Sequence, residues 1–364
     1  MLLLKNAGPQ KFKRVIQNKK LFVFGAGRAL EACMDLYFSD KKIELIVDNN
    51  ESILNVSVKN GENFVPVCGV DGLVKRIVAC GMQNSILFIT SPFYAAEIVE
   101  QLDKIPELDG LETYLAVFVR CAKEKAKDFS FTNGTPKIPK KIHYIWIGGK
   151  PLPEEFQRNI ETWKENNPDY EIIRWDESNL NLEECDYVKE SFLSKDWGFV
   201  TNYARLSVVF NYGGIYLDTD VEVKKNFDCI LNDDVFFNMG CADRVNNGCG
   251  FGAVPHHPVV EELKAEFEKS HFLINGKPGK RPGHVFLHPV LKRHGFEIKN
   301  EYQNINGVAL YPAEVMSPYV LGGLGDFFSD KTLSIHKCSG SWKNEREKQS
   351  LEKVKQLMGR CVSG

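Results

Sequence analysis

The sequence predicts an α/β fold in two domains. The chain has 364 residues, about twice the usual size of a domain. In both halves, short apolar runs that end at glycine or aspartate alternate with helical patterns, which is typical of parallel sheets with crossover helices. A charged stretch and a cluster of turn-forming residues separate the halves near residues 120–140. We therefore expect one domain over residues 1–130 and a second over residues 136–364.

The composition excludes several classes of protein. Hydrophobic residues make up 43% and charged residues 26%, which is typical of globular proteins and not of disordered chains. The formal net charge of −2 creates no field that would attract nucleic acid, so no nucleic-acid partner is expected. No apolar run approaches the ~20 residues of a membrane-spanning helix. Ten cysteines without a CxxC pair, and no signal-peptide pattern, predict free thiols and a cytoplasmic location.

The first half is predicted to be a Rossmann-like domain. The apolar run Lys20–Phe24 ends at a Gly25-Ala-Gly27 turn, and a helical pattern follows. The next apolar run ends at Asp48, where dinucleotide-binding domains have a ribose-binding acid. Leu30 replaces the third glycine of that motif. Three interpretations stay open: a dinucleotide site, a site for another ligand such as a nucleotide sugar, and a scaffold. The segment resembles small Rossmann-like modules attached to bacterial polysaccharide-modifying enzymes.

Two segments of the second half place polar or aromatic residues where a ligand could bind. Residues 141–149 are typical of a strand that ends in a glycine turn, and Trp146 lies just before this turn. This tryptophan could stack on a nucleobase or belong to the core. In the predicted helix over residues 197–212, Asn202 and Arg205 are three residues apart and share one face. That face lines a cleft or is solvated.

Two carboxylates follow the next apolar strand. Asp218 and Asp220 are separated by one residue, so their oxygens are expected to point the same way. Like charges at this distance raise one pKa or require a cation. A divalent ion with oxygen ligands would satisfy both and leave positions open for phosphate oxygens. A solvated turn is the alternative interpretation.

A strand near the C-terminus ends at His336, which could supply a nitrogen ligand to the same ion. The small residues that follow, up to Ser341, would let the backbone approach a phosphate, and the indole N–H of Trp342 could donate to it. A structural histidine and a core tryptophan are the alternative.

Five ordered segments resemble the DXD-containing sugar transferases of glycosyltransferase family 32. They are Ile-His-Tyr-Ile-Trp-Ile-Gly-Gly, Trp-Lys-Glu-Asn-Asn-Pro-Asp-Tyr, Asn-Tyr-Ala-Arg-Leu, Tyr-Gly-Gly-Ile-Tyr-Leu-Asp-Thr-Asp and a late Ser-Trp, spread over residues 137–342. The catalytic cores of the large clostridial glucosylating toxins are similar. The resemblance implies a GT-A fold, Mn²⁺ or Mg²⁺, and retaining transfer of a hexose from a nucleotide sugar, with UDP-hexose as the expected donor. It also implies a glycan or lipid-linked acceptor, in bacterial surface polysaccharide synthesis.

The resemblance assigns roles to individual residues. For donor binding they are Trp146, Asn202, Arg205, Asp218, Asn247, Ser341 and Trp342. For the metal they are Asp218, Asp220 and His336, and for catalysis Arg205, Asn202 and Asp218. The family usually has Asp where this chain has Asn202. The amide still accepts a hydrogen bond from a sugar hydroxyl, but it cannot offset the positive charge of Arg205. The alternative function is therefore a nucleotide-sugar-binding scaffold or sensor with a decayed transferase site.

The first twenty residues predict peripheral contact with a membrane. They contain six cations and no acid: Lys5, Lys11, Lys13, Arg14, Lys19 and Lys20. Each cation near an anionic bilayer contributes roughly 1 kcal/mol of binding free energy. A solvated leading helix is the alternative.

Overall fold

The computed structural model describes residues 1–27, 29–38, 40–122, 127–241, 244–320, 325–339 and 345–363. The chain divides into two compact units. The first comprises the described residues up to 122 and those from 345 onward, and the second those from 127 to 339. The C-terminal residues, expected in the second domain, thus group with the first unit. The reason is that Val362–Ser363 pairs in parallel with Leu3–Asn6, and the helix Glu345–Met358 packs on Ala95–Leu102.

The first unit is an α/β unit built on an eight-stranded sheet. Its neighbouring strands are parallel except for the edge hairpin. In spatial order the strands are Val362–Ser363, Leu3–Asn6, Glu112–Leu115, Ser85–Ile89, Lys20–Phe24, Ile43–Val47, Asn63–Cys68 and Ser57–Asn60. The α-helices are Pro9–Gln17, Ala29–Tyr37, Val70–Cys80, Ala95–Leu102, Ala116–Cys121 and Glu345–Met358. The predicted alternation of strands and helices is confirmed.

The side chains of Thr90 and Asp48 pack against the glycine turn of the first unit. Gly25 has φ +106°, and a Cβ there would lie 2.3 Å from Thr90 Oγ1. The Asp48 carboxylate accepts hydrogen bonds of 2.8 Å from the backbone N–H of Ala26 and of Asn50. Leu30 is buried in the core. Asp48 therefore stabilises the turn itself, and the three interpretations of this domain stay predictions.

The second unit is built on a mixed sheet, also of eight strands. In spatial order its main path is Gln303–Ile305, Val308–Tyr311, Val235–Cys241, Phe251–Ala253, Gly214–Tyr216, Lys141–Ile145 and Glu171–Trp175, with Arg244–Val245 paired to Val235–Cys241. Short strand pairs are Val221–Val223 with Ser334–His336, Leu273–Ile274 with Lys277–Pro278, and Tyr319–Val320 with Gly325–Asp326. The α-helices are Glu154–Asn166, Asp186–Leu193, Trp197–Tyr212, Pro258–Glu268, His284–Arg293 and Ala313–Met316. The α/β class is confirmed here as well.

Two pairings position the functional side chains of the second unit. Lys141–Ile145 and Gly214–Tyr216 are parallel neighbours, so their carboxyl ends lie at one edge of the sheet. Val221–Val223 pairs with Ser334–His336, and the register sets His336 opposite Val221. A strand more than one hundred residues later therefore ends beside the Asp218–Asp220 turn. Among the described residues, no helix combines the length and the apolar character needed to cross a lipid bilayer.

Candidate functional site

The two aspartates lie in a tight turn that follows a buried strand. Gly214 precedes them with φ +99°, and a Cβ there would lie 2.8 Å from the Lys141 carbonyl oxygen, so only glycine fits beside the neighbouring strand. The Asp218 N–H donates to the Gly248 carbonyl at 3.0 Å. The Val221 N–H donates back to the Asp218 carbonyl at 3.1 Å. The turn is thereby fixed from both sides, with the carboxylates at the carboxyl edge of the sheet.

Asp220 is held by groups from the late strand and its loop. His336 Nε2 lies 3.1 Å from Asp220 Oδ1. The N–H and the hydroxyl of Ser339 both donate to Asp220 Oδ2 at 2.9 Å. Burial opposes the charge of this carboxylate, but the charge of His336 and these hydrogen bonds prevail and hold the pKa of Asp220 well below its usual range. Asp220 is therefore ionised and oriented, and it is buried, not solvated.

Asp218 is paired with Arg205. The guanidinium lies 3.4 Å from Asp218 Oδ1, which also accepts a 2.8 Å hydrogen bond from the Tyr216 hydroxyl. Arg205 donates to the carbonyl and the hydroxyl of Thr201, one turn earlier on the helix, at 2.8 and 2.9 Å. Its guanidinium carbon lies 4.9 Å from the centre of the Tyr216 ring. The arginine is only 5% exposed, so this cation is fixed in place against the first aspartate.

The loop 246–248 completes the site. A Cβ on Gly248 would lie 2.2 Å from Asp218 Oδ2 and 2.8 Å from Arg205 Nη1, so glycine is needed for the close approach of these groups. Asn246 Oδ1 accepts the Gly248 N–H at 2.9 Å, and its Nδ2 lies 3.4 Å from His336 Nδ1. Asn247 is 5% exposed, and its buried Nδ2 has no hydrogen-bond partner among the described residues. A buried amide without a partner is costly unless a ligand accepts its hydrogen bond.

His143 is a structural residue in the first motif of the second unit. It is fully buried, and its Nδ1 accepts the Trp175 indole N–H at 3.1 Å. Its Nε2 donates to the Gly213 carbonyl at 2.7 Å. Burial lowers the pKa of His143 to about 4. This neutral imidazole anchors the glycine turn that begins the strand before the aspartates.

The structure groups several of the predicted site residues. Asp218, Asp220, His336 and Arg205 are grouped, and Asn247 lies in the adjacent loop. Trp146 lies at the same sheet edge, half-buried, with its indole N–H donating to the Lys150 carbonyl at 2.6 Å. Asn202 lies one turn before Arg205 on the same helix, with its Oδ1 3.4 Å from where a Cβ of Gly283 would lie. Ser341 and Trp342 lie outside the described residues.

Several side chains that hold the site residues were not predicted from the sequence. Ser339, one of the small residues after His336 that were predicted to let the backbone approach a phosphate, donates to Asp220 through its N–H and its hydroxyl. Tyr216, Thr201 and Asn246 each hold a site residue through a side-chain hydrogen bond. The Asn-Asn-Gly run at 246–248 was the signal available in the sequence for the third of these.

The grouped residues fit a divalent cation. Asp218, Asp220 and His336 each offer a ligand atom, and these atoms lie within 4.8 Å of one another. Two carboxylates and one imidazole are donors that Mn²⁺ and Mg²⁺ accept in proteins. To bind an ion, His336 would have to be the neutral imidazole, and the ion would then replace its positive charge beside Asp220.

A family model decides the class of this site. Residues 153–237, which include the helix of Arg205 and both aspartates, match the model described as glycosyltransferase sugar-binding region containing DXD motif. This region is similar to the sugar-binding regions of DXD-containing glycosyltransferases. The resemblance stated from the sequence is thereby confirmed for this part of the chain. The DXD region also contains the helix and strands that carry Thr201 and Tyr216.

Curated relatives match the DXD region over part of their length. Inositol phosphoceramide mannosyltransferase 2 of Schizosaccharomyces pombe is 31% identical over 144 residues, which cover 38% of this chain and 41% of that protein. An uncharacterised glycosyltransferase of Acanthamoeba polyphaga mimivirus is 30% identical over 136 residues, which cover 35% of this chain and 54% of that protein. This chain thus spans about half or less of the length of these relatives.

Solved structures give a more distant likeness. The PaToxG glycosyltransferase has a TM-score of 0.33 and 16% identity, and the match covers 61% of this chain and 86% of that one. A glycosyltransferase involved in the glycosylation of the major capsid of PBCV-1 has a TM-score of 0.31 and 13% identity, and the match covers 57% of this chain and 98% of that one.

Proposed function

We propose that this chain is a retaining, metal-dependent hexosyltransferase that moves a hexose from a nucleoside-diphosphate sugar to a glycan or lipid-linked acceptor. The observation that carries the proposal is the grouping of Asp218, Asp220 and His336 within 4.8 Å, beside the buried Arg205. Carboxylates and an imidazole at the carboxyl edge of a sheet, next to a fixed cation, suit a metal-bound diphosphate.

The first part of the reaction is departure of the nucleoside diphosphate. A divalent ion held by Asp218, Asp220 and His336 would neutralise the diphosphate and make it a better leaving group. Ser339 keeps Asp220 oriented, and Arg205 does the same for Asp218. Trp146 is proposed to stack on the base, and Ser341 and Trp342 to contact the diphosphate. Asn247 Nδ2, buried without a partner, is proposed to donate to a sugar hydroxyl.

The second part is attack by the acceptor hydroxyl. Asp218 pairs with Arg205 and accepts a hydrogen bond from Tyr216. Asp220 pairs with His336 and accepts hydrogen bonds from Ser339. Neither carboxylate is therefore free to act as a nucleophile. This favours substitution on the face from which the phosphate leaves. The bond from the anomeric carbon to the acceptor oxygen forms, the bond to the phosphate oxygen breaks, and the departing phosphate takes the acceptor proton. The configuration at the anomeric carbon is then retained.

The relatives support a lipid-borne acceptor. Several are named as mannosyltransferases that act on inositol phosphoceramide. By analogy, we propose that a nucleoside-diphosphate mannose is a second candidate donor beside UDP-hexose. We also propose that the acceptor is carried on a lipid. The cytoplasmic location and the role in bacterial surface polysaccharide synthesis stay predictions from the sequence.

Turnover of a panel of nucleoside-diphosphate hexoses tests the proposal. The assay measures release of nucleoside diphosphate with Mn²⁺, with Mg²⁺ and with EDTA. We expect metal-dependent release that falls at least one hundredfold in Asp220→Asn. The matched control is Asp169→Asn, an exposed carboxylate that pairs with Lys140 at the opposite edge of the sheet. Metal-dependent donor binding without turnover would contradict the proposal and favour the scaffold or sensor.

A further inference from the structure

A short hairpin of the second unit projects an exposed tip. Leu273–Ile274 and Lys277–Pro278 pair through a two-residue turn in which Asn275 has φ 51° and Gly276 φ 73°. Two successive positive φ angles define a tight type I′ turn, which Asn-Gly sequences favour. We call residues 271–285, which contain this hairpin and the start of the next helix, the docking hairpin.

The base of the docking hairpin is anchored in the core. Phe272 is buried, and its ring centre lies 5.9 Å from that of Tyr187 and 5.3 Å from that of Phe199. The Leu273 N–H donates to Glu190 at 2.9 Å. The Gly279 N–H closes the hairpin on the Phe272 carbonyl at 2.8 Å. The exposed residues from 274 to 278 are therefore presented on a fixed support.

The exposed part of the docking hairpin combines apolar side chains with cations. Ile274 is 48% and Val285 44% exposed, and Leu193, on the helix that packs against the hairpin, is 71% exposed. The chain has no acid between Glu268 and Glu297, a stretch that carries six lysines and arginines. Among the described residues, neither Lys277 nor Arg281 forms an ion pair; the half-buried Arg281 donates to the His271 carbonyl at 3.4 Å and lies 4.9 Å from the centre of the Phe286 ring. Lys280, in contrast, pairs with Asp196 at 2.9 Å.

The docking hairpin adjoins the helix of the site. A Cβ on Gly283 would lie 3.4 Å from Asn202 Oδ1, so the end of the hairpin contacts the helix that carries Arg205 one turn later. A surface bound by the hairpin would therefore lie next to the DXD region. That position suits an acceptor held at the same surface.

We infer that the docking hairpin, with Leu193, binds an anionic lipid bilayer. Exposed apolar side chains that enter the headgroup region, beside cations with no protein counter-charge, are the combination that binds peripheral proteins to such bilayers. The inference deepens the proposed function and rests on it only for the identity of the lipid-borne acceptor.

The N-terminal cations form a weaker candidate surface. Lys19 pairs with Glu112, and Lys20 Nζ lies 3.4 Å from Cys80 Sγ. Within residues 1–20, Met1 is the exposed large apolar residue, because Phe12 and Ile16 of the leading helix are buried. Charge without apolar neighbours binds a bilayer less firmly, so the two surfaces can be separated by experiment.

Vesicle co-sedimentation of the full chain tests the inference. The vesicles are phosphatidylcholine alone, and phosphatidylcholine with phosphatidylserine. We expect binding to the anionic vesicles only. It should fall about fivefold for each cation removed in Lys277→Gln and Arg281→Gln, since each cation contributes roughly that factor. Ile274→Ser with Val285→Ser should also weaken binding.

The controls keep the test independent of folding and of the transferase reaction. Phe64→Ser removes an exposed apolar residue of the first unit, and Lys11→Gln with Arg14→Gln removes N-terminal cations; both should sediment like wild type. Thermal unfolding of each variant checks that it is folded. Equal binding by wild type and all hairpin variants, or loss of binding only in the N-terminal variant, would overturn the inference. Sedimentation needs neither donor nor turnover, so a negative result would leave the proposed reaction standing.

Discussion

The Arg205 guanidinium lies 3.4 Å from Asp218 Oδ1, and the first aspartate of the DXD motif is therefore the counter-charge of the buried arginine. From the sequence, Asn202 was the position where a missing carboxylate would leave Arg205 uncompensated. The charge of Arg205 is offset within the motif by Asp218, while Asn202, one turn earlier on the helix, lies beside Gly283. The amide at position 202 is therefore compatible with an intact site.

Restoring the family aspartate at position 202 should change little. We expect the turnover number of Asn202→Asp to stay within about threefold of wild type with the same donor, because Asp218 already offsets Arg205. Steady-state kinetics of the two proteins measures this. A rise of about tenfold, equivalent to roughly 1.4 kcal/mol of barrier, would show that the charge is needed in the transition state and that wild type is a weakened enzyme.

Gly248→Ala should disrupt the site. The new Cβ would lie 2.2 Å from Asp218 Oδ2, so the carboxylate or the loop has to shift. We expect metal-dependent donor affinity to fall at least tenfold. The control is Gly198→Ala in the site helix, where no heavy atom lies within 4 Å of the new Cβ and alanine is favoured by up to about 1 kcal/mol. Equal donor affinity in the two variants, measured by calorimetry, would count against this role of Gly248.

Lowering the pH should destabilise the folded chain, because the buried His143 resists protonation. Its pKa is about 4 in the folded chain, below the value near 6.5 of an unfolded histidine, so the unfolded chain binds the proton first as pH falls. The free energy of unfolding is therefore unaffected by this group above pH 6.5 and decreases between pH 6.5 and 4, by up to about 3 kcal/mol. Urea unfolding over this range should show a shallower pH slope for His143→Gln. Identical slopes would mean that another group controls the acid side.

Deleting residues 345–364 should destabilise the first unit and leave the site intact. The deletion removes Val362–Ser363 from the sheet edge and Arg360 from its 2.7 Å ion pair with Asp103. We expect a lower unfolding midpoint for this unit and unchanged metal-dependent donor binding. Limited proteolysis with mass spectrometry locates the loosened unit. Loss of donor binding with an intact first unit would contradict this division of the chain.

Local patterns predicted much of this molecule. The alternation of apolar strands and helices predicted parallel strands in both sheets, but not the antiparallel strands of the second sheet. The carboxylates after a buried strand predicted the DXD turn. The position of His336 at a strand end suggested a third ligand, and the family resemblance assigned it to the metal. No local pattern shows its antiparallel pairing with Val221, which joins segments more than one hundred residues apart.

Other features depend on long-range packing that no local pattern reports. The return of the C-terminal strand to Leu3–Asn6 requires two ends of the chain to meet. The hydrogen bonds from Ser339 to Asp220, and the contact of Asn202 with Gly283, depend on how loops and helices settle on the sheet. A serine in a small-residue loop fits a phosphate contact and a carboxylate contact equally well, so only the fold distinguishes them.

Calorimetric titration of the wild-type chain with a nucleoside-diphosphate hexose, in Mn²⁺ and in EDTA, tests the central claim most directly. The carboxylates and the imidazole of Asp218, Asp220 and His336 are proposed to hold the ion that meets the diphosphate. The account predicts donor binding in Mn²⁺ and an affinity at least tenfold weaker in EDTA. Equal affinity under the two conditions would contradict it.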